Sequence, residues 1–312
     1  MKLSVIIPTC DRAKRLLECL HRIKGADEIV VSDDGSTTET REMIQRDFRN
    51  VIWVQGRRRG PAANRNHGAL KANGEWIVFV DDDCLPTERW IQEIRKAAVA
   101  ADAVEGKTIA PDRTNHPLED VVENLSGDLF WSCNLAVRRS LFEELGGFDE
   151  DFQIAGGEDL EFASRLRECT RKLVFAPEAI VYHPVRRLTW VGLVNKVFQM
   201  HWHILYRLKV DADRCATLYE VLDLIRNTVR QILSPSAKRS VQGSVTLFLE
   251  WLLLPAWIFY LAVWERRFRR NGLALKSRVR SEGQIRQSDV AAPFWDRTLD
   301  QYETQHRTRN PQ

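Results

Sequence analysis

The first 190 residues are expected to form an α/β domain, a mixed and mostly parallel Rossmann-like sheet with helices on both faces. A helical region follows. Three observations predict this. Short apolar runs rich in β-branched residues recur along the chain: LSVII at 3–7, EIVVS at 28–32, VIWV at 51–54 and WIVFV at 76–80. Helix-patterned stretches separate them, and strands alternating with helices build parallel sheets with helices on their faces. Two of the runs end in acidic clusters, Asp33-Asp34 and Asp81-Asp82-Asp83. In such sheets ligands bind beyond the carboxyl ends of the strands, so both clusters should face one crevice.

Taken in order, Pro8 is expected to end the first strand. Residues 12–24 place Ala13, Leu16, Leu17, Leu20 and Ile23 at helical spacing. A polar helix is expected over 38–48 and another over 62–72, the latter closed by Asn73-Gly74 as a C-cap. Residues 90–101 read as helical. From 102 to 190 the pattern loosens, as in a mixed sheet with long functional loops. Gly146-Gly147 and Gly156-Gly157 mark turns, 159–169 is a helix, and 173–176 and 179–183 are two short strands. Beyond 190 the chain reads as helical over 191–209 and 217–233, and 281–312 is a polar tail. Three regions are therefore expected, 1–190, 191–280 and 281–312.

Composition narrows the function classes. The chain has 312 residues, 44% hydrophobic and 29% charged, with a net charge of +3. This is ordinary globular composition, and nothing global points to nucleic acid. The six cysteines, at 10, 19, 84, 133, 169 and 215, include no CxxC pair, so reduced thiols in a cytoplasmic protein are expected. The opening apolar run of five residues is too short for a signal-peptide core of roughly 7–15.

Residues 245–264, VTLFLEWLLLPAWIFYLAVW, carry one charge, Glu250, and are followed by Arg266, Arg267, Arg269, Arg270, Lys276, Arg278 and Arg280. A spanning helix needs about 20 apolar residues, and tryptophan with a basic flank suits an anionic membrane surface. The segment fits a clean span, a kinked or surface-lying helix, or a buried helix of a C-terminal subdomain. Association with the cytoplasmic face of the membrane is the expectation carried forward.

Two phosphate-binding signatures are absent. The turn after the first strand, PTCDR, has no glycine, and no G-x-x-x-x-G-K-[ST] occurs. Asp81, Asp82 and Asp83 end a buried strand, where adjacent carboxylates repel one another. Mn²⁺ or Mg²⁺ would remove that cost, binding one or two carboxylates together with substrate phosphate oxygens; a solvated acidic turn is the alternative. Asp33-Asp34-Gly35-Ser36 is either a turn that caps the next helix or a carboxylate aimed at a base or ribose. Gly156-Gly157-Glu158-Asp159 is either a dipole-favoured helix start or a general base on a glycine-rich loop. His183 is a structural histidine or a metal ligand, whereas His201 and His203 face different sides of a helix and read as non-ligands. Among Arg57, Arg58, Arg59 and Arg65, one would offset diphosphate charge.

Taken together, VIIPTCDR, EIVVSDDGS, ANRNHGALKANGEWIVFVDDDCLP, NLAVRRSLFEELGGFDEDF, GGEDLEFASRL and VYH resemble the family 2 inverting glycosyltransferases over residues 3–185. The resemblance implies a glycosyltransferase A-type fold and a nucleotide-diphosphate sugar donor. It implies that Pro8 and Thr9 line the base pocket, that Asp34 binds the base and that Arg65 sits near the nucleotide. Asp81–Asp83 match the D-x-D motif, with Asp83 the direct metal ligand, Asp81 or Asp82 near the ribose, and Asp81 and His183 completing the metal set. Asp159 matches the catalytic base, Glu158 would hydrogen-bond a sugar, and Asn134 would line the acceptor side. Processive relatives carry Q-x-x-R-W; here the nearest string is Gln199-Met200-His201-Trp202, so transfer of one sugar is expected. The acceptor would be a lipid-linked or cell-surface glycan. A soluble acceptor and a non-catalytic nucleotide-sugar-binding scaffold are the alternatives.

Overall fold

The computed structural model describes residues 1–114, 118–170, 172–189, 201–211, 214–233 and 241–270, with a few positions between 191 and 199. The expected 281–312 tail lies outside the described residues.

The N-terminal half alternates as its sequence pattern predicts. In chain order run β1 (Leu3–Thr9), α1 (Ala13–Arg22), β2 (Glu28–Asp33), α2 (Glu39–Asp47), β3 (Val51–Gln55), α3 (Pro61–Lys71), β4 (Trp76–Phe79), the two-residue β5 (Leu85–Pro86) and α4 (Trp90–Ala98). There follow β6 (Ala103–Ile109), β7 (Glu119–Asp120), a 3₁₀ turn (Ser132–Asn134), β8 (Leu135–Arg138), α5 (Arg139–Glu144), α6 (Glu158–Cys169), β9 (Leu173–Tyr182) and β10 (Arg186–Arg187). Eight strands form one sheet in the order β3-β2-β1-β4-β8-β6-β9-β5. β3, β2, β1 and β4 are parallel, β8 is antiparallel to both β4 and β6, and β6 and β9 are parallel.

The sheet is buried on both faces, which is why its strands read as continuous apolar runs. One core layer gathers Leu3, Val5, Ile7, Leu16, Val78, Trp90 and Ile94. The other gathers Ile6, Val30, Ile77, Phe79 and a cluster of phenylalanines from α5, its following loop and α6. Phe148 and Phe162 lie 4.7 Å apart between ring centres.

Two expectations are corrected. Pro8 does not end β1, which pairs with β2 through Thr9. Ile6 turns toward β4, where its carbonyl accepts from Val80, and Thr9 turns toward β2, where its carbonyl accepts from Asp34. Pro8 therefore also faces the β4 side, beyond the last β1–β4 pair at Ile6 and Phe79, and its missing donor costs no ladder bond. The two short strands expected over 173–183 are one strand, β9, running through Pro177 because β6 shifts register between Gly106 and Lys107. At Gly106 a Cβ would lie 2.3 Å from the Ala179 carbonyl oxygen and 2.4 Å from the Asn134 amide, so only glycine admits this close approach.

The C-terminal region is helical as expected: α7 (His201–Val210), α8 (Ala216–Leu233) and α9 (Val241–Arg270). Much of the helix expected over 191–209 lies outside the described residues. Trp202, Ile204, Leu205, Leu208, Trp257, Leu261 and Phe268 form a third apolar cluster that includes Phe152, from the loop before α6. His201 stacks on Trp264 at 4.0 Å. Among the described residues no helix is long and apolar enough to cross a membrane. A clean span over 245–264 is thereby set aside: that segment lies inside α9, with Trp257 and Leu261 packed against α7.

Candidate active site

Because β1, β2 and β4 are parallel, their carboxyl ends share one edge of the sheet, and the two acidic clusters meet there. The Thr9 hydroxyl at the end of β1 donates to Asp82 at 2.7 Å, and Arg12 donates to the same carboxylate at 3.1 Å. Burial pushes the Asp82 carboxyl up to about 6, with Asp83 and Asp81 adding to the rise against Arg12 and Thr9. Asp33 is structural. Its Oδ1 accepts the Gly35 N–H at 2.8 Å and its Oδ2 the Trp53 indole at 3.2 Å. Asp34 is half-buried, accepts the Arg58 N–H at 2.9 Å, and is raised by burial despite that bond. Pro8 and Thr9 lie on the strand beside it.

Asp83 is the most crowded carboxylate. Its Oδ2 accepts from Arg186 at 2.6 Å and Arg15 at 3.2 Å, with Arg12 at 3.6 Å. Burial alone would raise it, but Arg186, His183 and Arg12 together hold it below its ordinary value. Its Oδ1 is buried without any hydrogen-bond partner and lies 3.7 Å from His183 Nε2. His183 Nδ1 is 3.0 Å from the Pro184 carbonyl oxygen. A carbonyl only accepts, so Nδ1 carries a proton and Nε2 is the ring nitrogen that faces Asp83. A carboxylate oxygen and an imidazole nitrogen facing each other in a buried site are a donor pair that a cation could take. Cys84 Sγ completes this group, whose ligand atoms lie within 4.8 Å of one another. The Cys84 thiol is pushed well above its ordinary value by burial and by Cys133. The effective donors are a carboxylate and an imidazole, a set suited to Mn²⁺ or Mg²⁺.

Asp81, expected among the metal ligands, is not in this group. It accepts from Arg65 at 2.8 Å, a guanidinium supplied by α3. Arg65 is 5% exposed and donates its other Nη to Glu158 at 3.2 Å. Glu158 also accepts the Gly156 N–H at 2.7 Å. Gly157, at φ +103°, caps α6 in a left-handed conformation, and Asp159 follows. Its Oδ1 is buried without a partner, as is the Ser132 hydroxyl. Burial, then the Glu158 charge, push Asp159 up to about 7, with the Arg65 charge opposing.

Asn134 is oriented by the fold itself. Its amide donates to the Lys107 and Ala179 carbonyls at 3.0 Å each and accepts the Trp90 indole at 2.9 Å. The loop before it is gathered by buried Glu105, which accepts the backbone N–H of Asp128, of Leu129 at 3.0 Å and of Phe130 at 2.6 Å. Sequence reasoning missed Arg12, Arg15, Arg186, Ser132 and Cys84. Arg12, in the turn after β1, and Arg186, three residues past His183, carried the only available signal.

The comparisons with known proteins fit this arrangement. The model of glycosyl transferase family 2 matches residues 4–146. Residues 4–146 belong to this family by that match, and the curated relatives of the chain are glycosyltransferases. The model described as the N-terminal domain of galactosyltransferase matches residues 114–186. Similar curated proteins include glycosyltransferase AglE of Haloferax volcanii, 28% identical over 59% of this chain and 67% of the relative. Validoxylamine A glucosyltransferase of Streptomyces hygroscopicus is 32% identical over 53% of this chain and 51% of the relative. The GalNAc(5)-diNAcBac-PP-undecaprenol beta-1,3-glucosyltransferase of Campylobacter jejuni is 37% identical over 26% of this chain and 29% of the relative. This chain thus spans about two thirds of the first relative and about half of the second. The fold is shared with a Pyrobaculum calidifontis mannosyltransferase solved with GDP-Man and Mn²⁺, at TM-score 0.55 and 20% identity, covering 85% of this chain and 86% of that one. It is also shared with residues 1–349 of Staphylococcus aureus TarS, at TM-score 0.54 and 18% identity, covering 87% and 92%.

Proposed function

We propose that this family 2 glycosyltransferase is metal-dependent and inverting, and moves one sugar from a nucleotide-diphosphate donor to the hydroxyl of a lipid-linked or cell-surface glycan. One observation carries the proposal. Two buried carboxylate oxygens stand without partners, Asp83 Oδ1 beside His183 and Asp159 Oδ1 beside Ser132. Arg65 holds the two halves together by bonding Asp81 on one side and Glu158 on the other. A site that leaves such atoms unsatisfied is prepared for charge and for a proton.

Asp83 and His183 would hold Mn²⁺ or Mg²⁺, which when bound supplies positive charge to the leaving diphosphate. Arg12, Arg15 and Arg186, already gathered at Asp83 Oδ2, would share that diphosphate as an anion clamp. Pro8, Thr9 and Asp34 lie along one flank, where the nucleoside would sit. On the other side Asp159, with an elevated pKa, would accept the proton of the acceptor hydroxyl as its oxygen attacks the anomeric carbon opposite the leaving group. The C1–oxygen bond to diphosphate breaks as the new bond forms, and configuration inverts. Glu158 orients the sugar from the base of the crevice, and Asn134 fixes the wall of the acceptor side. The relative that acts on an undecaprenol-linked glycan supports a lipid-linked acceptor and hence a workplace at the cytoplasmic face of a membrane.

The test is a thermal-shift panel of UDP-, GDP- and dTDP-sugars, each with and without Mn²⁺. Ligand at 100 times Kd stabilises the native state by about 2.7 kcal/mol. A metal-dependent shift with one nucleotide is expected. A folded sample that shifts with none of them contradicts the donor site and favours a scaffold role.

A further inference from the structure

The segment that the sequence left divided between spanning, lying on and avoiding a membrane forms the middle of α9, and from Leu252 onward its two faces are distinct. Leu254, Trp257, Leu261, Trp264 and Phe268 turn inward to the cluster with α7, and Glu265 is buried beside them, accepting from the Thr217 N–H at 2.9 Å. On the opposite side Leu252, Pro255, Ala256, Phe259 and Val263 are all exposed. With about 100° per residue these five fall within about 60° of one line along the helix. Leu252 is 63%, Phe259 72% and Val263 47% exposed.

An outward helix face in a water-soluble protein ordinarily carries charge. Here no residue from Trp251 to Trp264 is charged. The same outward line then continues into Arg266, Arg267 and Arg270, all exposed, and the sequence adds Lys276, Arg278 and Arg280. An apolar stripe ending in a cluster of guanidiniums is the pattern of a helix lying in a lipid interface, apolar residues among the acyl chains and arginines at anionic headgroups. We propose that the outward face of α9 is a docking surface for an anionic lipid bilayer, with Phe259 as its deepest anchor.

The helix is coupled to the site. α9 packs on α7, and Lys209 at the end of α7 bonds Asp149 at 2.6 Å and Asp151 at 2.5 Å, in the loop that leads to Asp159. A bilayer docked on α9 would thus be held in a fixed relation to the acceptor side of the crevice; this last point alone rests on the proposed function.

The experiment is flotation of the purified full-length chain with vesicles of phosphatidylcholine alone and of phosphatidylcholine mixed with phosphatidylglycerol, with donor consumption measured in the same samples. We expect flotation with the anionic vesicles only. Phe259→Ser should lower the partition coefficient about tenfold or more, and Arg266→Gln with Arg267→Gln about fivefold per arginine, with donor consumption unchanged in both. Anionic-vesicle binding that survives both sets of substitutions overturns the proposal. So does wild-type protein that fails to float, and so does a dimer seen by light scattering that Phe259→Ser dissolves, which would make a second copy the occupant. Lost donor consumption with intact flotation would instead contradict the transferase reading and leave the docking surface standing.

Discussion

Arg65 Nη1 donates to Glu158 Oε1 at 3.2 Å across 93 residues of chain, with both side chains almost wholly buried. The same guanidinium holds Asp81, so one arginine fixes the distance between the acidic end of β4 and the helix start that carries Asp159. Replacing Arg65 by Gln leaves Glu158 buried without its counter-charge. Breaking a buried pair in this way costs about 3–5 kcal/mol. A clear drop in melting temperature is expected, read by calorimetry.

The pH dependence follows from Asp159. Its pKa, pushed up to about 7 by burial and Glu158, means that the group is protonated below that value and cannot accept a proton. The kcat/KM profile should therefore rise with pH up to about 7 and level off above it. Arg65 holds this pKa down, so in the Arg65→Gln protein, where it still folds, the rising limb should move to higher pH. A profile that falls between pH 6 and 8 would refute the base assignment.

Metal dependence should reside in Asp83 and His183. His183→Ala is expected to weaken Mn²⁺ binding at least about tenfold, measured by calorimetry in the presence of a nucleoside diphosphate. A chelator should abolish the metal-dependent part of the thermal shift in the wild-type protein.

Lys209 is 4% exposed and pairs with two carboxylates of the 149–151 loop. Lys209→Met removes the pairing while keeping most of the volume. We expect a loss of about 1–3 kcal/mol in stability and a fall in kcat with donor affinity unchanged, since the loop it ties leads to Asp159 and not to the nucleotide flank. Equal losses in both parameters would show that the clamp supports the whole sheet.

The parallel half of the fold was legible because its strands are buried on both faces and its helices have one apolar side, so composition and period agree. The strand β9 was misread as two because Pro177 interrupts its pattern, and only the neighbouring strand's register shift at Gly106 explains how it continues. Asp83, Asp159 and His183 were singled out from their places at element ends, and the structure buries Asp83 beside His183 and sets Asp159 at the start of α6. Asp81 was expected at the metal, yet it faces Arg65, a partner on another helix that no local spacing reveals. Arg12 and Arg15 at the start of α1 and Arg186 in β10 converge on a single oxygen from two distant segments, and Asn134 is spent on Lys107, Ala179 and Trp90. Such long-range pairings leave no trace in sequence period. The apolar run at 245–264 was ambiguous for a related reason: one of its faces is apolar because it packs on α7, and the other is apolar and exposed.

The most direct test of the central claim is release of nucleoside diphosphate from the matched donor by Asp159→Asn, measured beside donor affinity with Mn²⁺ present. Wild-type affinity with turnover reduced about 10²–10⁴-fold is expected. Turnover within a few-fold of wild type, with the donor still bound, would contradict the assignment of Asp159 as the base that drives the transfer.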